Sequence, residues 1–261
     1  MRISTTNVLL GVIPIVNDGL SSDDPANVTD PDFSTSYTGT DNNKLTFIFG
    51  ATSLINYIAV AGLNIKGNSD LTSFVRVTED NTIITTSYVV RNNCVMLTFP
   101  SMSFSKLRVV INNGAGNVLP AVRFIAGGTY LQLPQGGESA GYNRQFLNRN
   151  TTTKSTLSNI SAPTSVLKKK VSAKGTLSLP NMTRSFTENE WQNFLDFSSN
   201  NYFFIREQDP VNFNEGDTFY TDTTAHTSYL CFDVTGTNTA AHAQTRLLNN
   251  ISLNFKVFNG L

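Results

Sequence analysis

Acidic side chains are the first place to look for chemistry, and they gather in two stretches: Asp18, Asp23, Asp24, Asp30 and Asp32, then Glu207, Asp209, Glu215 and Asp217. Two carboxylates brought face to face from distant strands would serve glycoside hydrolysis, one as acid and the other as base or nucleophile. Hard oxygen donors in a loop would suit calcium instead, and Asp18, Asp23 and Asp24 are the candidate set for that ion, although their spacing matches no EF-hand loop. The plainer role of such residues is to build the loops themselves, because a short carboxylate bonds the backbone just ahead of it. His226 and His242 are the only histidines, and neither has the close partner spacing of a zinc site made from local ligands. The chain has no glycine-rich phosphate loop with its lysine and no His-Glu-x-x-His helix, and its Gly-x-Ser-x-Gly spelling, Gly137-Glu138-Ser139-Ala140-Gly141, falls in a stretch without strand alternation. Each of those chemistries needs its residues at fixed offsets. The expectation is a protein that is not an enzyme and needs no cofactor beyond the calcium candidate.

Rings and amides offer a second kind of chemistry, the binding of neutral glycans. Tyr37, Tyr57, Tyr88, Tyr130 and Tyr142 are the rings that could line a sugar platform. Asp30 and Asp32 beside Tyr37, together with Tyr57, are the candidate ligand contacts. A tyrosine in a strand is more often a core or rim residue than a ligand contact. Nineteen basic residues balance nineteen acidic ones, so no global field draws the chain to nucleic acid or to an anionic membrane. The basic run Lys168-Lys169-Lys170 reads as a solvated strand edge, where lysine also blocks edge-to-edge pairing. Cys94 and Cys231 each sit in an apolar alternating run and read as reduced core residues. The run from Asn7 to Val16, with Gly11 and Pro14 inside it, reads as a strand rather than a leader peptide. No apolar stretch approaches the roughly 20 residues of a spanning helix. A soluble chain outside the secretory route is expected.

The elements that must position these residues are strands. With 39% hydrophobic and 15% charged residues, the chain is globular and poor in surface charge, and its Asn, Ser and Thr favour strands and turns. Period-two alternation marks strands at Leu45–Phe49, Ile55–Ala61, Phe74–Thr78, Ile83–Val90, Val95–Phe99, Leu107–Asn112 and Ala121–Ile125. It resumes at Val171–Leu179, Tyr202–Arg206, Ser228–Val234 and Ile251–Phe258. Between them, residues 134–170 lose the pattern. Unstructured loops longer than about 12–15 residues are usually arms, lids or linkers, and this one reads as an assembly arm with Tyr142, Phe146, Leu147 and Leu157 as its anchors. Thr187 and Glu190 form a capping box ahead of Trp191, Phe194 and Leu195, which predicts one helix ending near Ser198–Asn201. The expected architecture is all-β: a jelly-roll module over 1–133, an extended arm over 134–170, and a β-sandwich with one short helix over 171–261.

The stretch from Asn27 to about Leu133 resembles the discoidin, or galactose-binding-like, jelly-roll modules. The likeness is carried by the loop Asp30-Pro31-Asp32-Phe33-Ser34-Thr35-Ser36-Tyr37, then Leu45-Thr46-Phe47-Ile48-Phe49-Gly50, then Ile55-Asn56-Tyr57-Ile58-Ala59-Val60-Ala61. Taken whole, that module, the polar arm and a sandwich with Trp191-Gln192-Asn193-Phe194-Leu195 before Tyr202-Phe203-Phe204-Ile205 resemble virion structural proteins of tailed bacteriophages. That resemblance implies a homo-oligomer assembled in the bacterial host cytoplasm and placed in the virion. The second module and arm would contact other copies and other virion proteins, and the first module would face host surface glycans. A tail-tip or baseplate protein is the leading expectation. A capsid decoration or head-fibre protein, a free carbohydrate-binding module and a polysaccharide-degrading enzyme stay open beside it.

Overall fold

Strands dominate the computed structural model, which describes residues 1–17, 21–40, 44–50, 53–65, 73–88, 94–114, 118–134, 150–156, 163–170, 173–207, 228–235, 241–242 and 248–258. In chain order the strands are β1 (Arg2–Ser4), β2 (Ile15–Val16), β3 (Tyr37–Thr38), β4 (Lys44–Phe49), β5 (Ile55–Ala61), β6 (Ser73–Glu79), β7 (Thr82–Tyr88), β8 (Cys94–Met102), β9 (Leu107–Asn113) and β10 (Ala121–Val122). They continue as β11 (Phe124–Gly128), β12 (Tyr130–Gln132), β13 (Asn150–Thr156), β14 (Pro163–Lys170), β15 (Ala173–Thr183), β16 (Phe203–Arg206), β17 (Ser228–Thr235), β18 (Ala241–His242) and β19 (Leu248–Val257). Among the described residues a short 3₁₀ turn (Pro25–Val28) and one longer helical segment, a π-turn over Phe186–Trp191 running into α1 (Gln192–Ser198), interrupt them. The all-β expectation with a single short helix holds.

Three sheets stack as layers. The outermost has five strands in the order β2-β4-β9-β6-β7, the middle one three, β11-β5-β8, and the third seven, β12-β1-β16-β17-β19-β15 with β18 added on β19. Between the first two lies a core containing Phe47, Phe49, Val75, Val109, Ile58 and Leu97. The middle sheet turns Tyr57, Ala59, Ala61, Cys94, Met96, Phe124 and Ala126 away from that core and onto Phe204 and Leu230 of the seven-stranded sheet. That sheet's far side, with Phe203, Ile205 and Phe255, is covered by Phe186, Trp191, Phe194 and Leu195 of the helical segment. Strands covered on both faces need apolar side chains at successive positions rather than alternate ones. Phe203-Phe204-Ile205 and Ile58-Ala59-Val60-Ala61 supply them, all buried.

Two strands from the N-terminal 133 residues do not stay with the outer layers. β1 lies between β12 and β16, pairing Ile3 with Leu131 on one side and with Ile205 on the other. Met1, Ile3, Leu131 and Leu133 accordingly pack in the same core as the helix.

Sequence and structure differ at two local points. Of the strand expected over Asn7–Val16 only Ile15–Val16 forms one, as β2, and a turn precedes it. The Asn7 side-chain oxygen accepts from the Leu9 amide at 3.2 Å, Val12 N donates to the Leu9 carbonyl at 3.0 Å, and Gly11 takes a φ of +72°, which suits glycine alone at no cost. The helix also starts earlier than its expected capping box. Thr183 Oγ1 accepts from Phe186 N at 3.2 Å, which is N-cap geometry. Thr187 lies inside the helical segment and donates its hydroxyl back to the Thr183 carbonyl at 3.0 Å. Cys94 and Cys231 are both free and buried.

Of the segment 134–170, β13 and β14 form an antiparallel hairpin with Asn150 opposite Lys170. Its four expected anchors, Tyr142, Phe146, Leu147 and Leu157, fall outside the described residues.

Candidate functional site

Alternation along the outermost sheet determines what its open face carries. Leu45, Phe47 and Phe49 of β4, Val75 and Val77 of β6, and Leu107, Val109 and Ile111 of β9 point into the core. The intervening residues therefore face outward, in register across the strands. Phe74 stands opposite Asn112, and Asn112 opposite Lys44. One pair further, Arg76, Val110 and Thr46 are aligned, and after them Thr78, Arg108 and Ile48. Together with Asn17, Asn81 and Ile83 they line a groove of about 500 Å³. Thr46 and Thr78 lie buried at its floor, whereas Lys44 and Ile83 stand exposed at its edges.

The groove's side chains are held by one another. Arg76 Nε donates to Thr86 Oγ1 at 3.2 Å, and its guanidinium carbon sits 4.5 Å from the Phe74 ring centroid. A cation over an aromatic face is attracted by the ring quadrupole, so the pair is fixed from two directions. Arg108 Nη1 donates to Asn81 Oδ1. Its Nε is buried and has no hydrogen-bond partner among the described residues. Asn81 reaches that position from the β6–β7 hairpin, where Asp80 and Asn81 have φ of 45° and 81°. Two consecutive positive φ values make the tight turn that matches strand twist, and Asp and Asn tolerate it better than other L residues do. Amides, hydroxyls, one ring and three cations, with no carboxylate among the lining residues, can hydrogen-bond and stack a polar ligand. They offer no acid–base pair.

The structure takes Tyr57, Tyr37 and Tyr130 to other places. Tyr57 is fully buried between the middle and third layers, and its hydroxyl donates to the Thr6 carbonyl at 2.6 Å. Burial pushes its pKa well above the usual phenol range. Tyr37 packs edge-on against Phe47, with centroids 5.5 Å apart, in the outer core. Tyr130 lies under the Arg2 guanidinium, 5.1 Å away. Tyr88 ends β7 opposite Phe74 in backbone register, and Tyr142 lies outside the described residues.

The aspartates build loops. Asp24 Oδ1 caps the 3₁₀ turn Pro25–Val28 by accepting from Ala26 N at 2.9 Å. Asp23 Oδ2 accepts from Thr38 N at 2.9 Å. Asp30 Oδ1 accepts from Asp32 N at 2.9 Å, and Asp32 Oδ1 from Ser34 N at 2.8 Å. These bonds from Ser34 hold the Asp32 carboxyl below the ordinary aspartate range, because hydrogen bonds to the ionised form favour it. Asp18 and His226 lie outside the described residues. Among the described residues no three His, Cys, Asp or Glu side chains come together as a metal group, and no helix is long and apolar enough to cross a membrane.

Phe74 lies on the outward face of β6, a ring that the tyrosine pattern does not announce. The signal was present in Phe74-Val75-Arg76-Val77-Thr78, where two valines on one face leave an aromatic, a cation and a hydroxyl on the other.

No protein-family model matches the chain, and no curated protein matches its sequence. Solved structures do share part of its shape. Chitosan-binding module 1 of a chitosanase/glucanase from Paenibacillus sp. IK-5 is 11% identical, with 46% of this chain and 96% of the module covered at a TM-score of 0.39. The family 32 carbohydrate-binding module of C. perfringens NanJ, solved with galactose, is 13% identical, with 50% and 100% covered at 0.38. The family 32 module of AlyQ, solved with 4,5-unsaturated mannuronic acid, is 15% identical, with 44% and 94% covered at 0.33. Likenesses of this size do not decide what this chain binds.

Proposed function

We propose that this chain is a non-catalytic glycan-binding protein whose platform is the open face of the five-stranded sheet. The observation that carries the reading is the Phe74–Arg76 pair, an aromatic ring clamped beside a guanidinium in a groove otherwise lined by amides, hydroxyls, aliphatic side chains and two further cations, Lys44 and Arg108. Concave sites of a few hundred cubic ångströms with a few placed polar groups are where small polar ligands bind. A sugar presents an apolar C–H face to a ring and hydroxyls to amides. The test is binding of the full chain to an array of immobilised glycans, repeated with Phe74→Ala. Binding that falls roughly tenfold or more in the variant, with an unchanged melting curve, is the expected outcome. A wild-type chain that retains no glycan on the array sinks the reading.

The hairpin β13–β14, a two-stranded sheet of its own, favours a second role alongside the first. In that reading the hairpin and residues 171–261 make subunit contacts in a tailed-bacteriophage virion. The chain would be a tail-tip or baseplate protein, or a capsid decoration or head-fibre protein, assembled in the host cytoplasm with residues 1–133 turned toward host glycans. An open pair of strands offers unpaired backbone edges to another chain. Electron microscopy of the particle decides it: ordered hairpins between copies support assembly, and a particle from which the chain is missing removes it.

A further inference from the structure

Three cationic side chains, Lys44, Arg76 and Arg108, line the groove without a carboxylate among them. In a chain with nineteen acidic and nineteen basic residues, that one-signed patch is a local arrangement rather than a consequence of overall charge. The cations come from three neighbouring strands, β4, β9 and β6. Arg76 pairs with Val110, two residues along β9 from Arg108, which places the two guanidinium-bearing positions diagonally, about 7–8 Å apart. Lys44 lies beyond them, on the order of 12 Å from Arg76 by strand spacing and rise.

Among the described residues neither arginine pairs with an acid. Arg76 gives one bond to Thr86 and lies over Phe74. Arg108 gives one to Asn81, and its Nε has no partner among the described residues. Each of these bonds uses one of the five donors of a guanidinium. Arginine is the residue that planar carboxylate recognition requires, because its fork binds both oxygens at once. Val110 supplies apolar surface between the charges, with Phe74 and Ile48 at opposite corners of the same face.

We propose that the ligand of this groove is an anionic saccharide, a chain of sugars bearing uronate carboxylates. Arg76 and Arg108 bind carboxylates, Lys44 adds a third positive charge at the edge, and Phe74 stacks on a sugar ring. The proposal rests on the glycan-binding reading above and narrows it to a substrate class. A nucleic acid, the other polyanion, fits the groove less well: it is held by several cations tracking a backbone and by a series of rings under successive bases. Here one described ring stands among three cations.

The test compares the intact chain's affinity for a polyuronate, for the same polysaccharide after chemical reduction of its carboxyls to alcohols, and for a single-stranded oligonucleotide of matched charge. The expected result is at least roughly tenfold preference for the polyuronate over its reduced form, a preference that added salt weakens. Arg76→Gln combined with Arg108→Gln should abolish the preference, while Phe74→Ala weakens both polysaccharides alike. Should the double variant fail to fold, Lys44→Glu at the exposed edge replaces it and should lower only polyuronate binding. Equal affinity for the two polysaccharides overturns the anionic proposal and leaves glycan binding standing. Binding to neither overturns both, and tighter binding to the oligonucleotide replaces the saccharide with a nucleic acid.

Discussion

Tyr57 carries a hydroxyl into the densest part of the molecule, and the Thr6 carbonyl at 2.6 Å is what makes that tolerable. Removing the hydroxyl in Tyr57→Phe leaves that acceptor without its donor, a loss of about 1–2 kcal/mol to be read as a lower urea midpoint. Alkaline pH acts on the same layer. Burial raises the pKa of the Tyr57 hydroxyl and of both thiols, and for Cys231 the proximity of Cys94 adds to it. A raised folded-state pKa contributes stability that is complete below the unfolded value and is lost as pH climbs past it. The urea midpoint should therefore stay level until the thiol range near 9 and then decline. Replacing both cysteines by alanine should remove the first part of that decline. Asp32 works in the opposite sense, since its carboxyl is held below 3.8. Its contribution is present above that value and is lost as acid protonates it. The Ser34 amide shift followed by NMR should titrate with a midpoint under 3.8, and a midpoint at or above that value would contradict the bond. The loop-building role of the aspartates was legible from residue type. The burial of Tyr57 was not, because in a strand covered on both faces no position is reserved for solvent, and Tyr37 sits on a strand of two residues, too short for alternation to announce its face.

At the scale of elements, the β6–β7 hairpin joins stability to the groove. Asn81 holds a φ of 81° while its side chain takes the Arg108 guanidinium. Two substitutions separate these duties. Asn81→Ala should cost about 1 kcal/mol, because an alanine in the left-handed region has no local bond to offset the strain, and it should also loosen Arg108. Asn81→Gly should restore the turn, since glycine adopts that φ freely, yet leave Arg108 as loose as in the alanine variant. Melting temperature and polyuronate affinity, measured on both, should therefore part company. Loss of affinity in neither would mean that Asn81 does not position the arginine. Strand positions were legible here because one face of β6 and β9 meets solvent and alternation survives. The helix start was misplaced by one turn for a related reason: Thr187 and Glu190 satisfy a capping pattern, but Thr183 at the end of β15 captures the Phe186 amide first.

Across the whole molecule, the sequence marks a loss of strand alternation after residue 133. The pairing of β1 with β12 and β16 is not marked. A three-residue strand carries too little periodicity to announce its partners, and Ile3 finds Ile205 only because the chain returns there two hundred residues later. The middle layer binds the stack through small residues: Ala59, Ala61 and Ala126 let Phe204 and Leu230 approach. Hydrogen bonds also cross the junction, with Arg206 Nη1 donating to Thr98 Oγ1 at 2.6 Å and Met96 N to Ser228 Oγ at 3.2 Å. At its centre Phe204 lies parallel to Phe124 with centroids 6.2 Å apart. Layers sharing that much buried surface should unfold together. Trp191, the only tryptophan, sits in the core beyond the seven-stranded sheet, so its fluorescence reports that layer. Hydrogen exchange at the Val109 and Phe47 amides reports the outer one. In the wild type both should give one urea transition. Phe204→Ala removes the central ring at a cost of about 3–5 kcal/mol and should pull the two reports apart, with the tryptophan transition moving to lower urea. If the reports separate already in the wild type, the junction is a contact between independent units. The groove, which lies on the far face of the outer sheet, would then be expected to keep whatever ligand affinity it has with the third layer unfolded.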